Sequence, residues 1–229
     1  MKRKLFAVCL LLSATIAFAQ NAPDAYLQWS ASQCESVGKS TTVRGRVGSS
    51  WHGRGLKTEQ AIYYKLSATW FTPEVIRASA RCAQLKSRLS DEETKKLVEE
   101  AEAVAGTVVM VELDPDEGSG VIPSDWEAFF GPKAKDSNNQ AAVKGVERRD
   151  LRNVKVFAGV LRRNYDYDRF WVVFPLVAKG DSSLFDANSR EAELTVRVND
   201  QAGKVSWPIP EGIRERISAI RVQKNLPEK

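Results

Sequence analysis

Apolar and polar residues alternate most clearly over residues 61–71, AIYYKLSATWF, where Ile62, Tyr64, Leu66, Ala68 and Trp70 fall on one side of a pleat. A period of two predicts a half-buried strand. The period then changes. Val75, Ala78, Cys82, Leu85 and Leu89 recur at spacings of three and four, which predicts a helix with one apolar stripe. Thr72 is placed to cap it, and Pro73 takes the first helical position, where its missing N–H removes no hydrogen bond. Ser90 and Glu93 carry the pattern of a capping box opening a second helix. Asp91, Glu92 and Glu93 put negative charge at its positive end. Leu97, Val98, Ala101, Val104 and Ala105 form its stripe, and Gly106 reads as its stop. So short a connection makes the pair a helical hairpin over about 72–105.

The rest of the chain reads as short strands and turns. Residues 20–40 are polar with scattered apolar positions and predict an irregular start. STTVRGRVG at 40–48 alternates and predicts a strand, followed by a glycine-rich loop at 49–57. TVVMVEL at 107–113 is a continuous apolar run and predicts a buried strand. DPDEGSG at 114–120 is a turn. SDWEAFFGP at 124–132 supports two readings. Ser124 and Glu127 suit a capped short helix, whereas Trp126, Ala128 and Phe130 would line one face of a strand. An exposed loop is expected at 133–140, and strands near 143–148, 154–161, 168–177, 191–198 and 203–207. IRERISAI near the end supplies one or two helical turns.

About eight short strands separated by turns favour a mainly β (α+β) fold, an antiparallel β-sandwich with an immunoglobulin-like arrangement as one form of it. The helical hairpin is inserted after the second strand. A mixed α+β sheet is the alternative. Residues 20–229 are expected to form a single domain.

The first residues change how the charge is read. Lys2, Arg3 and Lys4 precede the apolar run LFAVCLLLSATIAFA, and AFA at 17–19 has the form of a cleavage site. Residues 1–19 therefore read as a cleaved signal peptide, and the protein as exported to the periplasm or the extracellular medium. The apolar run is too short for a spanning helix, and no later segment qualifies, so no membrane span is expected. The chain has 34 basic and 29 acidic residues. Residues 1–19 hold three of the former and none of the latter, which leaves the remainder at +2. A nucleic-acid partner, which calls for a basic stripe on the mature domain, is not expected.

Two cysteines follow the signal, Cys34 and Cys82. An oxidising compartment permits a disulfide between them. Core spacing of Cys82 on the helix fits a buried free thiol equally well.

Catalytic chemistry finds little support. His52 is the single histidine and lies in SSWHGRG, without a nucleophile elbow such as G-x-S-x-G. One histidine and two separated cysteines do not make a zinc set. DPDEGSGVIPSD begins like a calcium loop at Asp114 and Asp116. It then fails, with Gly118 and Ser119 at the fifth and sixth positions. The glycines of GRGL open no helix and carry no phosphate-loop pattern. Asp166 and Asp168, two apart on a strand, would sit about 6.5–7 Å apart, but they point the same way rather than flanking a substrate.

No metal, cofactor or catalytic residue is implied. Exposed aromatics offer a binding surface instead. Trp51, Tyr63, Trp126, Tyr165 and Tyr167 could stack on sugar rings, although aromatics of this number are more often core. In NYDYDRFWVVFPLV at 164–177, Phe170, Val172, Phe174 and Leu176 form a core row. Tyr165, Tyr167 and Arg169 form the available face, joined by Trp51 as candidate ligand-binding residues. The expectation is a non-catalytic exported protein acting by contact with a protein partner. A carbohydrate-binding module is the first alternative, and a carboxylate-dependent glycan hydrolase the second.

Overall fold

Strand β2 (Tyr64–Phe71) turns Tyr64, Leu66, Ala68 and Trp70 into one apolar core, as its alternation requires. It lies second in a five-stranded antiparallel sheet of order β1-β2-β3-β7-β6. The others are β1 (Thr42–Val47), β3 (Thr107–Pro115), β7 (Arg169–Phe174) and the two-residue edge β6 (Val146–Glu147). A second antiparallel sheet has the order β5-β4-β8-β9. Its strands are β5 (Val143–Lys144), β4 (Trp126–Pro132), β8 (Glu191–Val198) and β9 (Gln201–Pro208). The described residues thus form a mixed α+β fold with two antiparallel sheets and four helices. The computed structural model describes residues 24–48, 64–115, 125–133, 142–160, 169–177, 183–186 and 188–224.

The inner faces of the two sheets share one buried cluster. Trp70 stands at its centre, within 5.0 Å of Phe130, 5.9 Å of Trp207 and 6.0 Å of Phe185 between ring centroids. The edge-to-face pairs with Phe130 and Trp207 each add about 0.5–1.5 kcal/mol beyond area burial. Buried indole N–H groups need acceptors, and both have them: Trp70 Nε1 donates to Thr107 Oγ1 at 2.7 Å and Trp207 Nε1 to the Thr41 carbonyl at 2.6 Å.

Part of the outer face of the first sheet is covered as well. Phe71, Val108, Met110 and Trp171 join a second cluster with helix α2 (Pro73–Ser87), helix α3 (Asp91–Glu102) and the 3-10 turns at Ala25–Gln28, Arg149–Asn153 and Lys155–Ala158. This double burial explains the unbroken apolar run of β3. Val109, Val111 and Leu113 face the second sheet, while Val108 and Met110 face the helices. It also gives the hairpin its role, as the cover of that face. Thr72 caps α2 and accepts from Val75 N, and Ser90 and Glu93 form the reciprocal box of α3. Leu85, placed on the stripe by spacing, is 41% exposed instead, because α2 buries Ile76, Ser79 and Ala80 on a second side. Gly106 lies beyond the α3 cap residue Ala103. Its φ of 109° and its approach to the Phe174 carbonyl, which a Cβ would overlap, account for the glycine.

Three sequence expectations are corrected, and one open reading, that of 124–132, is decided. Residues 31–39 are not irregular but a helix, α1 (Ala31–Lys39), capped by a Ser30–Gln33 box. Residues 155–158 form a 3-10 turn rather than a strand, burying Val156 and Phe157 against the helices. Residues 126–132 are a strand, with Ala128 and Phe130 inward. The last helix, α4 (Glu211–Lys224), is longer than one or two turns. It buries Ile213 and Ile217 in the core between the sheets. Arg216 ties it down by donating to the Glu102 and Val104 carbonyls, each at 2.9 Å. Burial lowers the pKa of this guanidinium from its ordinary value.

Glycines set how closely the two sheets approach at their edges. Gly145, between β5 and β6, carries the chain from the second sheet to the first and packs on Val172 and Phe174. At the opposite edge Gly203 of β9 lies on the backbone of Arg46 and Val47, and Gly45 of β1 faces Val205. A Cβ at position 203 would overlap the Arg46 carbonyl, which is backbone and cannot rotate away. Gly203→Ala is expected to lose about 1–3 kcal/mol in urea unfolding. A neutral outcome would mean that the two edges can part freely.

Candidate functional site

The register brings several chain ends to one end of the first sheet. Val47 pairs with Tyr64, Tyr64 with Pro115, and Glu112 with Arg169. The chain therefore leaves β1 and β3, and enters β2 and β7, at the same end. Trp126, the first residue of β4, joins them there through its ring, 4.7 Å from that of Phe170 and tilted by 53°. Trp126 and Phe170 are both half-buried and packed at the margin of the core. They close the gap between the two sheets and keep part of their surface toward solvent.

Just beneath this end lies a buried ion pair. Arg169 Nε donates to Glu112 Oε1 at 2.9 Å, with side-chain exposures of 5% and 2%. Both residues make further interactions. Glu112 interrupts the apolar run of β3, and a buried carboxylate is tolerated only with a compensating cation. Arg169 supplies it from the adjacent strand. The pair fixes β3 to β7 on the outer face, beside Trp171, whose indole N–H donates to the Phe157 carbonyl at 2.8 Å.

Of the candidate ligand-binding residues, Arg169 is thus buried and engaged by Glu112. Tyr165, Tyr167 and Trp51 lie outside the described residues, as do His52, Tyr63, Asp116, Gly118, Ser119, Asp166 and Asp168. Segments 49–63 and 116–124 attach at the described end at both of their junctions, and 161–168 does so at Arg169. Trp70, Trp171 and Trp207 are core residues, and Trp29 is half-buried. Cys34 and Cys82 form a disulfide, with Cα atoms 5.8 Å apart, joining α1 to α2. Among the described residues no group of three His, Cys, Asp or Glu side chains could hold a metal ion.

The outer face of the second sheet is solvated and internally balanced. Lys144 meets Glu127 at 2.5 Å, Lys204 meets Glu193 at 2.8 Å and Lys133 meets Glu191 at 2.6 Å. The guanidinium of Arg197 lies 4.8 Å from the Phe129 ring centre. The Lys144 hydrogen bond holds the Glu127 carboxyl below its ordinary pKa, and the Glu191 hydrogen bond raises that of Lys133. The Lys144–Glu127 and Lys133–Glu191 pairs are solvent-exposed, the kind that contribute little to stability, whereas Glu193 is largely covered.

Sequence reasoning missed the Trp126–Phe170 pair and the Glu112–Arg169 pair. The second had a signal, a single carboxylate inside TVVMVEL that demanded a buried cation. The first had none, because it joins residues from different sheets. The chain matches no protein-family model, no curated protein and no solved structure.

Proposed function

We propose that this is an exported, non-catalytic protein that acts by contact with a protein partner, using the end of the sheets that carries Trp126 and Phe170. Its scaffold is read as a β-sandwich with the helical hairpin covering one outer face. The half-buried aromatic pair at the margin of the core is the observation that carries the reading. The other tryptophans of the sheets are buried, whereas this ring is held at the margin by Phe170. Rigid aromatics with one face free are the residues that dominate protein interfaces. Export is supported by the signal-like start and by the Cys34–Cys82 disulfide, which suits an oxidising compartment. No helix among the described residues is long and apolar enough to cross a membrane.

Crosslinking in the native host tests this. The wild-type protein is expected to give a discrete protein adduct in the envelope or medium fraction. Trp126→Ala should keep its circular dichroism and lose the adduct. Retention on insoluble polysaccharide, lost in the same variant while no protein adduct forms, would replace this reading by the glycan-binding one.

A further inference from the structure

Helix α1 is pinned at both ends and held in its middle by one covalent bond. Before it, Tyr26 and Leu27 are buried in the helical layer, and Arg81 Nε donates to the Trp29 carbonyl at 2.9 Å. After it, Thr41 Oγ1 donates to the Trp70 carbonyl at 2.6 Å. Between these anchors the hold is slight. The helix buries Cys34 and Gly38. The apolar cluster it shares with α2 consists of Cys34, Cys82 and Val160, with Trp29 packed against it, so two of its three buried members are the bonded cysteines. The polar side chains of α1 turn to their own segment. Gln33 engages Ser30, and Lys39 meets Glu35 at 3.3 Å. Among the described residues none of them hydrogen-bonds to α2 or to the sheets.

The same bond is shut away from solvent. Cys34 is 0% exposed and Cys82 4%. Thiol–disulfide exchange needs a thiolate to reach a sulfur, so access governs its rate. With α1 docked, neither sulfur offers that approach to another protein. Docking of α1 depends on the bond, and the shielding of the bond depends on docking.

We infer that α1 is a latch closed by oxidation. The bond forms while residues 30–40 stand off α2, by exchange with an oxidised dithiol protein of the compartment, and docking of α1 then seals it. One cysteine thiolate attacks a sulfur of the oxidant's disulfide, and the oxidant's other sulfur leaves as a thiolate. The second cysteine thiolate then attacks the first cysteine's sulfur in the mixed disulfide. The Cys34–Cys82 bond forms, the mixed disulfide breaks, and two electrons and two protons pass to the oxidant, which leaves as a dithiol. In the reduced chain the sheets and the hairpin fold and α1 stays open. The inference rests on the export reading only for the compartment that holds the oxidant.

Alkylation by iodoacetamide, read by mass, tests this on the protein isolated from its host. The native protein should take no label, and dithiothreitol should reduce it about a hundredfold more slowly than the same protein in urea. Refolded in reductant, it should keep the amide protection of the sheets, lose that of residues 31–39, and take label at both cysteines. An oxidised dithiol oxidoreductase added to this form should restore both the bond and the protection. A side chain at position 38 would overlap Val160, so Gly38→Leu should speed reduction of the native bond about tenfold.

Reduction of the native protein as fast as that of the denatured one would overturn the inference. So would a reduced form whose cysteines refuse label, or one whose sheets lose protection together with α1. Should the latch behave as expected while the protein isolated from its host carries two free thiols, the latch stands and the export reading falls.

Discussion

Arg169→Met is expected to destabilise the protein by about 3–5 kcal/mol in urea or thermal unfolding, because it takes the Arg169 guanidinium away from the buried Glu112 carboxylate. The size follows from geometry. Both side chains are almost fully removed from water, and they stand directly opposite one another on adjacent strands. Replacing both, as in Glu112→Leu with Arg169→Met, should return most of that stability, since two apolar side chains on this face would continue the surface made by Met110 and Trp171. The double-mutant cycle is the measurement. Were the single variant to lose less than about 1 kcal/mol, the Glu112 charge would be met by water or by its other interaction, and the pair would not be the buried clamp described above.

Removal of the disulfide is the second large effect. Cys34→Ala with Cys82→Ala should cost about 4 kcal/mol, the chain-entropy value for a separation of 48 residues. It should also act locally. Helix α1 buries only Cys34 and Gly38, the latter against Val160, so it has little apolar surface of its own to hold it on α2. Hydrogen exchange in the double variant should therefore show residues 31–39 losing protection before the sheets do. Unchanged protection of α1 would show that Gly38 and its neighbours dock the helix without the crosslink.

What the sequence made legible was whatever rests on local period and capping. The alternation of residues 61–71 announced β2, and Thr72, Pro73, Ser90 and Glu93 announced the two helix starts. Helix α1 was obscured because its stability is not local. Ala31–Lys39 has no apolar stripe, and its anchor is a covalent bond to a residue far along the chain. The Ser30–Gln33 box was visible but had no hydrophobic run behind it. Residues 155–158 misled for a related reason. Val156 and Phe157 are apolar because they pack on the helical layer, not because they alternate across a pleat.

The stretch 164–177 shows the same limit for the candidate site. Its even row was correctly read as core, with Val172 and Phe174 buried between the sheets. Tyr165, Tyr167 and Arg169 on its odd face were expected to be available for binding. Trp171 is buried there under the helical layer, and Arg169 is committed to the ion pair with Glu112. Which face of a strand meets water depends on elements placed there by the whole fold, and no single segment records it.

The most direct test of the contact function is site-specific photocrosslinking in the native host. A photoreactive phenylalanine derivative replaces Trp126 in one version of the protein and Lys204, on the solvated outer face of the second sheet, in another. A discrete protein adduct from position 126, with none from position 204, is the expected result. No adduct from position 126, or adducts of equal yield from both positions, would contradict the assignment of that end of the sheets as the surface through which this protein acts.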